Sequence, residues 1–217
     1  MVLSTEQARK FYDRFGKKQD KQGFYEDDAL DDLVAHGDFE HAENVFEFGC
    51  GTGRFALRLL TQHLSPMATY FGVDLSQTMI SIAKTRVAKF AARAKVVQTD
   101  GSLKFPLAEE SVDRVISTYV LDLLSDEDMQ RVIVEAYRVL TPGGTLCLVS
   151  LTHGTTLSSR IVSGIWSFLF GFYAPIVGGC RPIQLNPLMS MDIWSIKYQN
   201  KKSQFGITSD VFIAKKV

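Results

Sequence analysis

From residue 45 onward, short β-branched or aromatic runs alternate with segments of helical period, and this alternation constrains the fold more than any other feature. Strands separated by helices pair through crossover connections, which build a parallel sheet with helices on its faces. Residues 45–48, 70–74, 95–99, 114–117 and 145–150 read as five strands. Residues 54–64, 77–93 and 126–140 read as the helices between them, the second with Met79, Ile82, Ala83, Val87 and Phe90 at helical spacing. Ser125, with Asp128 three residues on, opens the third helix, and Thr141-Pro-Gly-Gly144 stops it and turns the chain into the fifth strand.

Two more β-like runs, 194–198 and 207–214, joined by the polar residues 199–204, predict a terminal antiparallel hairpin. Ahead of the first strand, 4–22 and 26–36 read as helices, with Phe11, Tyr12 and Phe15 on one face of the former, placed to cap the strand ends. The 217 residues fit one domain: a helical cap over 1–40, a core over 41–150, and an insert with hairpin over 151–217.

Glu47, Gly49, Gly51 and Gly53 follow the first strand and open a helix, at the carboxyl end of the sheet where such folds bind ligands. Glycines there let the backbone turn sharply and approach a ligand, and the helix-start N–H groups favour an anion; a tight turn needing glycine for geometry alone is the alternative. The G-x-G-x-G spacing departs from the G-x-G-x-x-G of dinucleotide sites. Glu47 would repel a diphosphate but suits a ligand with an ammonium group. Asp74, 21 positions after Gly53, is placed to accept both hydroxyls of a ribose, or else to cap the next helix, a role for which Ser76 is available. Asp100 and Gly101 stand where an adenine amino group would be bound, or form an ordinary strand-end turn, and Met79 either covers the adenine face or belongs to the core.

Val45-Phe-Glu-Phe-Gly-Cys-Gly-Thr-Gly-Arg54, Gly72-Val-Asp-Leu-Ser76, Thr99-Asp-Gly101 and Leu140-Thr-Pro-Gly-Gly144 resemble, in order, the motifs of class I S-adenosylmethionine-dependent methyltransferases. The resemblance covers about residues 40–150. It implies an α/β, Rossmann-like seven-stranded sheet of order 3-2-1-4-5-7-6 with strand seven antiparallel, and S-adenosylmethionine as cofactor. It also implies that Glu47, Gly49, Gly51, Asp74 and Asp100 hold that cofactor; Cys50, Gly53, Leu75, Met79, Gly101 and Thr118 complete the expected set.

Where methyltransferases acting on amino groups of bases carry Asn/Asp-Pro-Pro-Tyr/Phe, this chain reads Ser117-Thr-Tyr-Val-Leu-Asp122. Lys plus Arg equals Asp plus Glu at 24 each, so no net field draws the chain onto nucleic acid, and a nucleic-acid partner is not expected. Phe11-Tyr-Asp-Arg-Phe15 and Asp74-Leu-Ser-Gln-Thr-Met79 are most similar to the ubiquinone/menaquinone-type and phospholipid N-methyltransferases. The expected acceptor is a small, apolar or lipid-like molecule. If the acceptor must lose a proton, His153 and Asp122 are the candidate bases, His153 preferred because an imidazole suits proton removal near neutrality, a backbone-bonded loop histidine being the alternative. Tyr12, Tyr25 and Tyr119 are candidates to close over the sulfonium or orient the acceptor, and Arg181 to bind an anionic group. No metal set is expected.

Cys50, Cys147 and Cys180 are odd in number and far apart, which points to a reducing, cytoplasmic setting, and no secretory leader is recognised at the start. No charged residue stands between Arg160 and Arg181. This aromatic stretch reads first as a buried helix and loop over an apolar pocket, with membrane-surface contact second and a bilayer span third, since Pro175 would break a continuous helix. A nicotinamide-dependent oxidoreductase, which should show the longer glycine spacing, and a non-catalytic cofactor-binding protein at a membrane are the competing readings.

Overall fold

The computed structural model describes residues 2–217. Its core is one seven-stranded sheet in the order β3-β2-β1-β4-β5-β7-β6. The strands are β1 (Asn44–Phe48), β2 (Thr69–Asp74), β3 (Ala94–Gln98), β4 (Val112–Thr118), β5 (Leu140–Leu151), β6 (Trp194–Gln204) and β7 (Ile207–Lys216). β1 to β5 pair in parallel, and β7 runs antiparallel to both β5 and β6. The expected topology is therefore present, with helices on both faces.

The helices are α1 (Thr5–Phe15), α2 (Gly23–His36), α3 (Arg54–Gln62), α4 (Gln77–Val87), α5 (Asp126–Val139) and α6 (Leu157–Tyr173). One face of the sheet packs against α2, α3 and α4 through Ala29, Leu33, Phe55, Leu59, Ile80 and Ala83. The other packs against α5 through Met129, Val132, Ile133 and Ala136. Both layers bring the carboxyl ends of β1, β2 and β4 to one edge, under the N-terminal segment.

Several local expectations change: the helix expected over 4–22 is α-helical only over Thr5–Phe15 and 3-10 over Gly16–Gln22, and residues 141–144, expected as a turn, lie within β5. The helix after β2 ends at Val87, short of Arg93, whose guanidinium instead binds the carbonyls of Leu60, Ser65 and Ala68. Residues 199–204 are not a loop: they continue β6, and the hairpin closes on Phe205 and Gly206, both at positive φ. Two left-handed residues are what a tight right-twisted hairpin requires, and Phe-Gly does not advertise it as Asn-Gly would.

A further change concerns α6. Its buried positions are Ser159 and Ser163, while Leu157, Ile161, Phe168 and Phe172 are more than half exposed. Ser163 Oγ accepts the Gly154 N–H at 3.2 Å, and Trp166 Nε1 donates to the Cys180 carbonyl at 3.0 Å. The helix is thus anchored by its polar side and turns its apolar side outward, the reverse of the buried helix expected.

Candidate functional site

A cavity of about 930 Å³ opens at the carboxyl edge of the sheet. Gly49 from the β1–α3 turn, Asp74 and Leu75 from the end of β2, Gly101 after β3, and Thr118 and Tyr119 at the end of β4 all line it, as do Met79 and Tyr12. The sequence thus delivers these residues to one place because parallel strands end on the same side of a sheet.

The turn after β1 is held by the sheet itself: the N–H groups of Gly49 and Cys50 both donate to the Val73 carbonyl, at 2.8 and 2.9 Å. Gly49 sits at φ 82, and a Cβ there would run into Val120 Cγ2, so this position needs glycine for both conformation and space. Gly51 N–H donates to Asp74 Oδ2 at 2.9 Å, and Ser76 N–H donates to Oδ1 at 2.8 Å. Two backbone donors leave the carboxylate with acceptor capacity toward the cavity. Burial pushes Asp74 up to about 6, opposed by those N–H bonds.

Glu47, expected to face the ligand's ammonium, lies instead beneath the turn, 1% exposed and outside the cavity lining, with the Tyr70 hydroxyl donating to its carboxylate. Gly72 stands opposite Glu47 in the β1–β2 register and two residues from Tyr70. A side chain at Gly72 would meet Tyr70 Oη at 2.7 Å, so its absence lets the phenol reach Glu47. Burial raises Glu47 to about 7, opposed by the Tyr70 bond and reinforced by Asp74.

The N-terminal segment, expected to cap the strand ends, lines the cavity with Leu3, Thr5, Ala8 and Tyr12, but the polar contacts that fasten it carried no local signal in the sequence. Asp13 Oδ1 accepts from Ser76 Oγ at 2.6 Å and from Thr78 N–H at 3.2 Å, tying α1 to the start of α4. Asp20 binds Arg86 at 2.7 Å and Thr52 Oγ1 at 2.7 Å, which pins the 3-10 segment Gly16–Gln22 across the glycine turn. Gln19, on that segment, lines the cavity beside Gly51, and its Oε1 is buried without a donor. Val120 and Ser209 were also missed; the latter bonds the Tyr119 hydroxyl at 2.8 Å, holding a ring whose backbone sits at φ 56.

Several expected site residues stand elsewhere. Gly53 caps α3 and faces Ala83, where a Cβ would come within 3.0 Å, so its role is close packing of α3 on α4. Cys50 is buried behind the turn. Asp100 is exposed and accepts the Ser102 N–H at 2.8 Å, closing its own loop, while Thr99, Gly101 and Ser102 line the cavity. His153 is exposed and outside the cavity, because the chain after β5 turns away toward α6. Arg181 is held by the Leu124 carbonyl and by Asp126 at 2.8 Å, which makes it a clamp between loops rather than an anion site. Tyr25 is buried behind Tyr119, ring edge to ring face with centroids 5.9 Å apart.

Asp122 is fully buried and also misses the cavity. Its Oδ2 accepts the Leu151 N–H at 3.1 Å, its Oδ1 has no partner, and burial pushes it up to about 7. Tyr12, which does line the cavity, contacts Cys180 Sγ at 3.9 Å, and burial raises both groups.

The residues present fit an adenosyl amino acid. A carboxylate with spare acceptors, a glycine turn with no room for side chains and a buried amide oxygen lacking a donor match ribose hydroxyls, close ligand approach and an ammonium respectively.

A family described as methyltransferase domain matches residues 45–144. The chain is 32% identical over 150 residues to the tRNA N(3)-methylcytidine methyltransferase of Drosophila melanogaster, covering 64% of this chain and 46% of that protein. It is 26% identical over 147 residues to the demethylmenaquinone methyltransferase of Oceanobacillus iheyensis, covering 68% of this chain and 59% of that one. The chain therefore spans about half the length of these relatives. Among solved structures, magnesium protoporphyrin IX methyltransferase from Synechocystis with bound S-adenosylhomocysteine superposes with a TM-score of 0.64 at 19% identity, covering 88% of this chain and 81% of that one, a likeness of fold. The chain carries a methyltransferase domain over residues 45–144, and its motifs and strand order are like those of the class I S-adenosylmethionine-dependent methyltransferases.

Proposed function

We propose that the chain transfers a methyl group from S-adenosylmethionine to a small acceptor with an apolar, lipid-like body. The observation that carries this reading is the Gly51–Asp74 hydrogen bond at the floor of a cavity where Gly49 admits no side chain. Asp74 would take the ribose, the turn and Gln19 the amino-acid arm, and Leu75, Met79 and Gly101 the adenine. S-adenosylmethionine, when bound, supplies a methyl group on a positively charged sulfur.

The chain's own contribution is alignment and exclusion of water, since neither candidate base lines the cavity. Tyr12 and Tyr119 present aromatic rings there, and α1 roofs the space through the Asp13 anchor. At about 930 Å³ the cavity lies near the top of the roughly 300–1,000 Å³ usual for ligand sites, which supports room for cofactor and acceptor together. Leu3, Val120, Leu123 and Leu124 give it apolar walls, which supports an apolar acceptor. Transfer RNA is the substrate named for three of the relatives; the balanced charge of this chain favours a small acceptor over it.

The test is incubation of the protein with methyl-labelled cofactor and a cell extract split into lipid, small-molecule and RNA fractions. Label in a lipid or small-molecule species supports the reading. Label in RNA overturns the acceptor class, and bound cofactor with no transfer at all supports a non-catalytic cofactor-binding protein.

A further inference from the structure

We propose that the outer face of α6 docks on an anionic lipid bilayer, with the helix lying flat in the interface. Leu157, Ile161, Ile165, Phe168, Phe172 and Ile176 follow one another at steps of three and four residues and are all more than half exposed. That spacing puts them on a single side of the helix and its 3-10 extension, a stripe roughly 30 Å long at about 1.5 Å per residue. On the opposite side Ser159 and Ser163 are buried against the protein. The fold therefore spends its polar side chains inward and leaves the apolar ones out, an arrangement that water disfavours and hydrocarbon rewards.

The apolar face continues beyond the helix. A Cβ on Gly206 would meet Val162 of α6 at 2.7 Å, so the β6–β7 turn rests on the helix. Its Phe205 is 79% exposed, and Phe24 stacks edge-on against it with centroids 5.6 Å apart.

Charge selects the occupant. Between Leu151 and Ser209 five basic side chains stand against one acidic, Asp192, although the whole chain is balanced. Arg160 on α6, Lys201 on the strand leading to Phe205, and Lys17, Lys18 and Lys21 leading to Phe24 are exposed and have no ion-pair partner among the described residues. The acidic side chains Asp27 and Asp31 on neighbouring α2 are paired with Arg54 and Arg58. An apolar strip rimmed by free cations complements an anionic headgroup layer. Two copies joined through this face would instead bring like charges together. The helix is long and apolar enough for a span, but the anchoring of its serine side and the 3-10 turn Ala174–Val177 that contains Pro175 argue against one.

The inference stands apart from the acceptor's identity, and its test leaves the cofactor site intact. The full chain, and a Phe168→Glu/Phe172→Glu variant, are floated with phosphatidylcholine vesicles with and without phosphatidylglycerol, at low and high salt. Cofactor-product binding by both proteins serves as the folding control. Expected is association of the parent with the anionic vesicles, weakened by salt, and reduced roughly tenfold or more in the variant. No association of the parent, or equal association of the variant, overturns the proposal. A parent that is a dimer by light scattering, made monomeric by the same substitutions, assigns the face to a second copy and overturns it as well.

Discussion

The Gly51 N–H donates to the Asp74 carboxylate at 2.9 Å, so the first two motifs of the chain are one object in space. The bond fixes one carboxylate oxygen and orients the other toward the Ser76 N–H, while the remaining lone pairs stay available for ribose hydroxyls. Asp74→Ala removes them. Hydrogen bonds to a charged group contribute about 1.5–3 kcal/mol, so affinity for S-adenosylhomocysteine should fall about 10- to 100-fold by calorimetry. Parent-like affinity would remove Asp74 from the site.

Gly49 makes a second, sharper demand. Gly49→Ala combines a left-handed backbone with a collision against Val120, costs of about 1–2 and 1–3 kcal/mol. The single variant should melt lower and lose cofactor binding, and Gly49→Ala/Val120→Ala should recover part of both, because the second change relieves only the collision. A double variant no better than the single one would show that Val120 is not what the glycine avoids.

Glu47 gives the account a pH signature. Its carboxyl is raised to about 7 by burial, against an ordinary value of 4.5. Between those values the folded state holds a proton that the unfolded chain has released, so this group's stabilising effect is complete below about pH 4.5 and lost as pH rises through 7. Chemical denaturation of the unliganded protein should therefore show a stability decline over that window that is smaller, by about 1–3 kcal/mol, in Glu47→Gln. Identical slopes for both proteins would mean that Glu47 does not titrate there.

His153 supplies a negative expectation. It is solvent-exposed and outside the cavity, so His153→Ala should change turnover less than about twofold once an acceptor is in hand. A large loss would mean that the loop after β5 swings over the cavity during the reaction.

How much of this was legible in the sequence follows from which signals are local. The strands and the helices α3, α4 and α5 could be read because periodicity and caps such as Ser125 act within a few residues. The glycine turn and Asp74 were legible because a parallel sheet forces strand ends together. Asp13, Gln19 and Asp20 were not, since they meet Ser76, Gly51 and Arg86 across 63, 32 and 66 residues with no pattern connecting them. The orientation of α6 is hidden for a different reason: composition says that a segment is apolar but not which way it faces. The chemistry of His153 and Arg181 suits a site role, but the paths of their loops put one in solvent and the other on Asp126.

The central claim is that the bend after β1 and the carboxylate ending β2 form a site for an adenosyl amino acid rather than for a dinucleotide. Isothermal titration of the parent protein with S-adenosylhomocysteine and, separately, with NADH tests it most directly. The account predicts one site for S-adenosylhomocysteine and no heat of binding for NADH; saturable NADH binding with none for S-adenosylhomocysteine would contradict it.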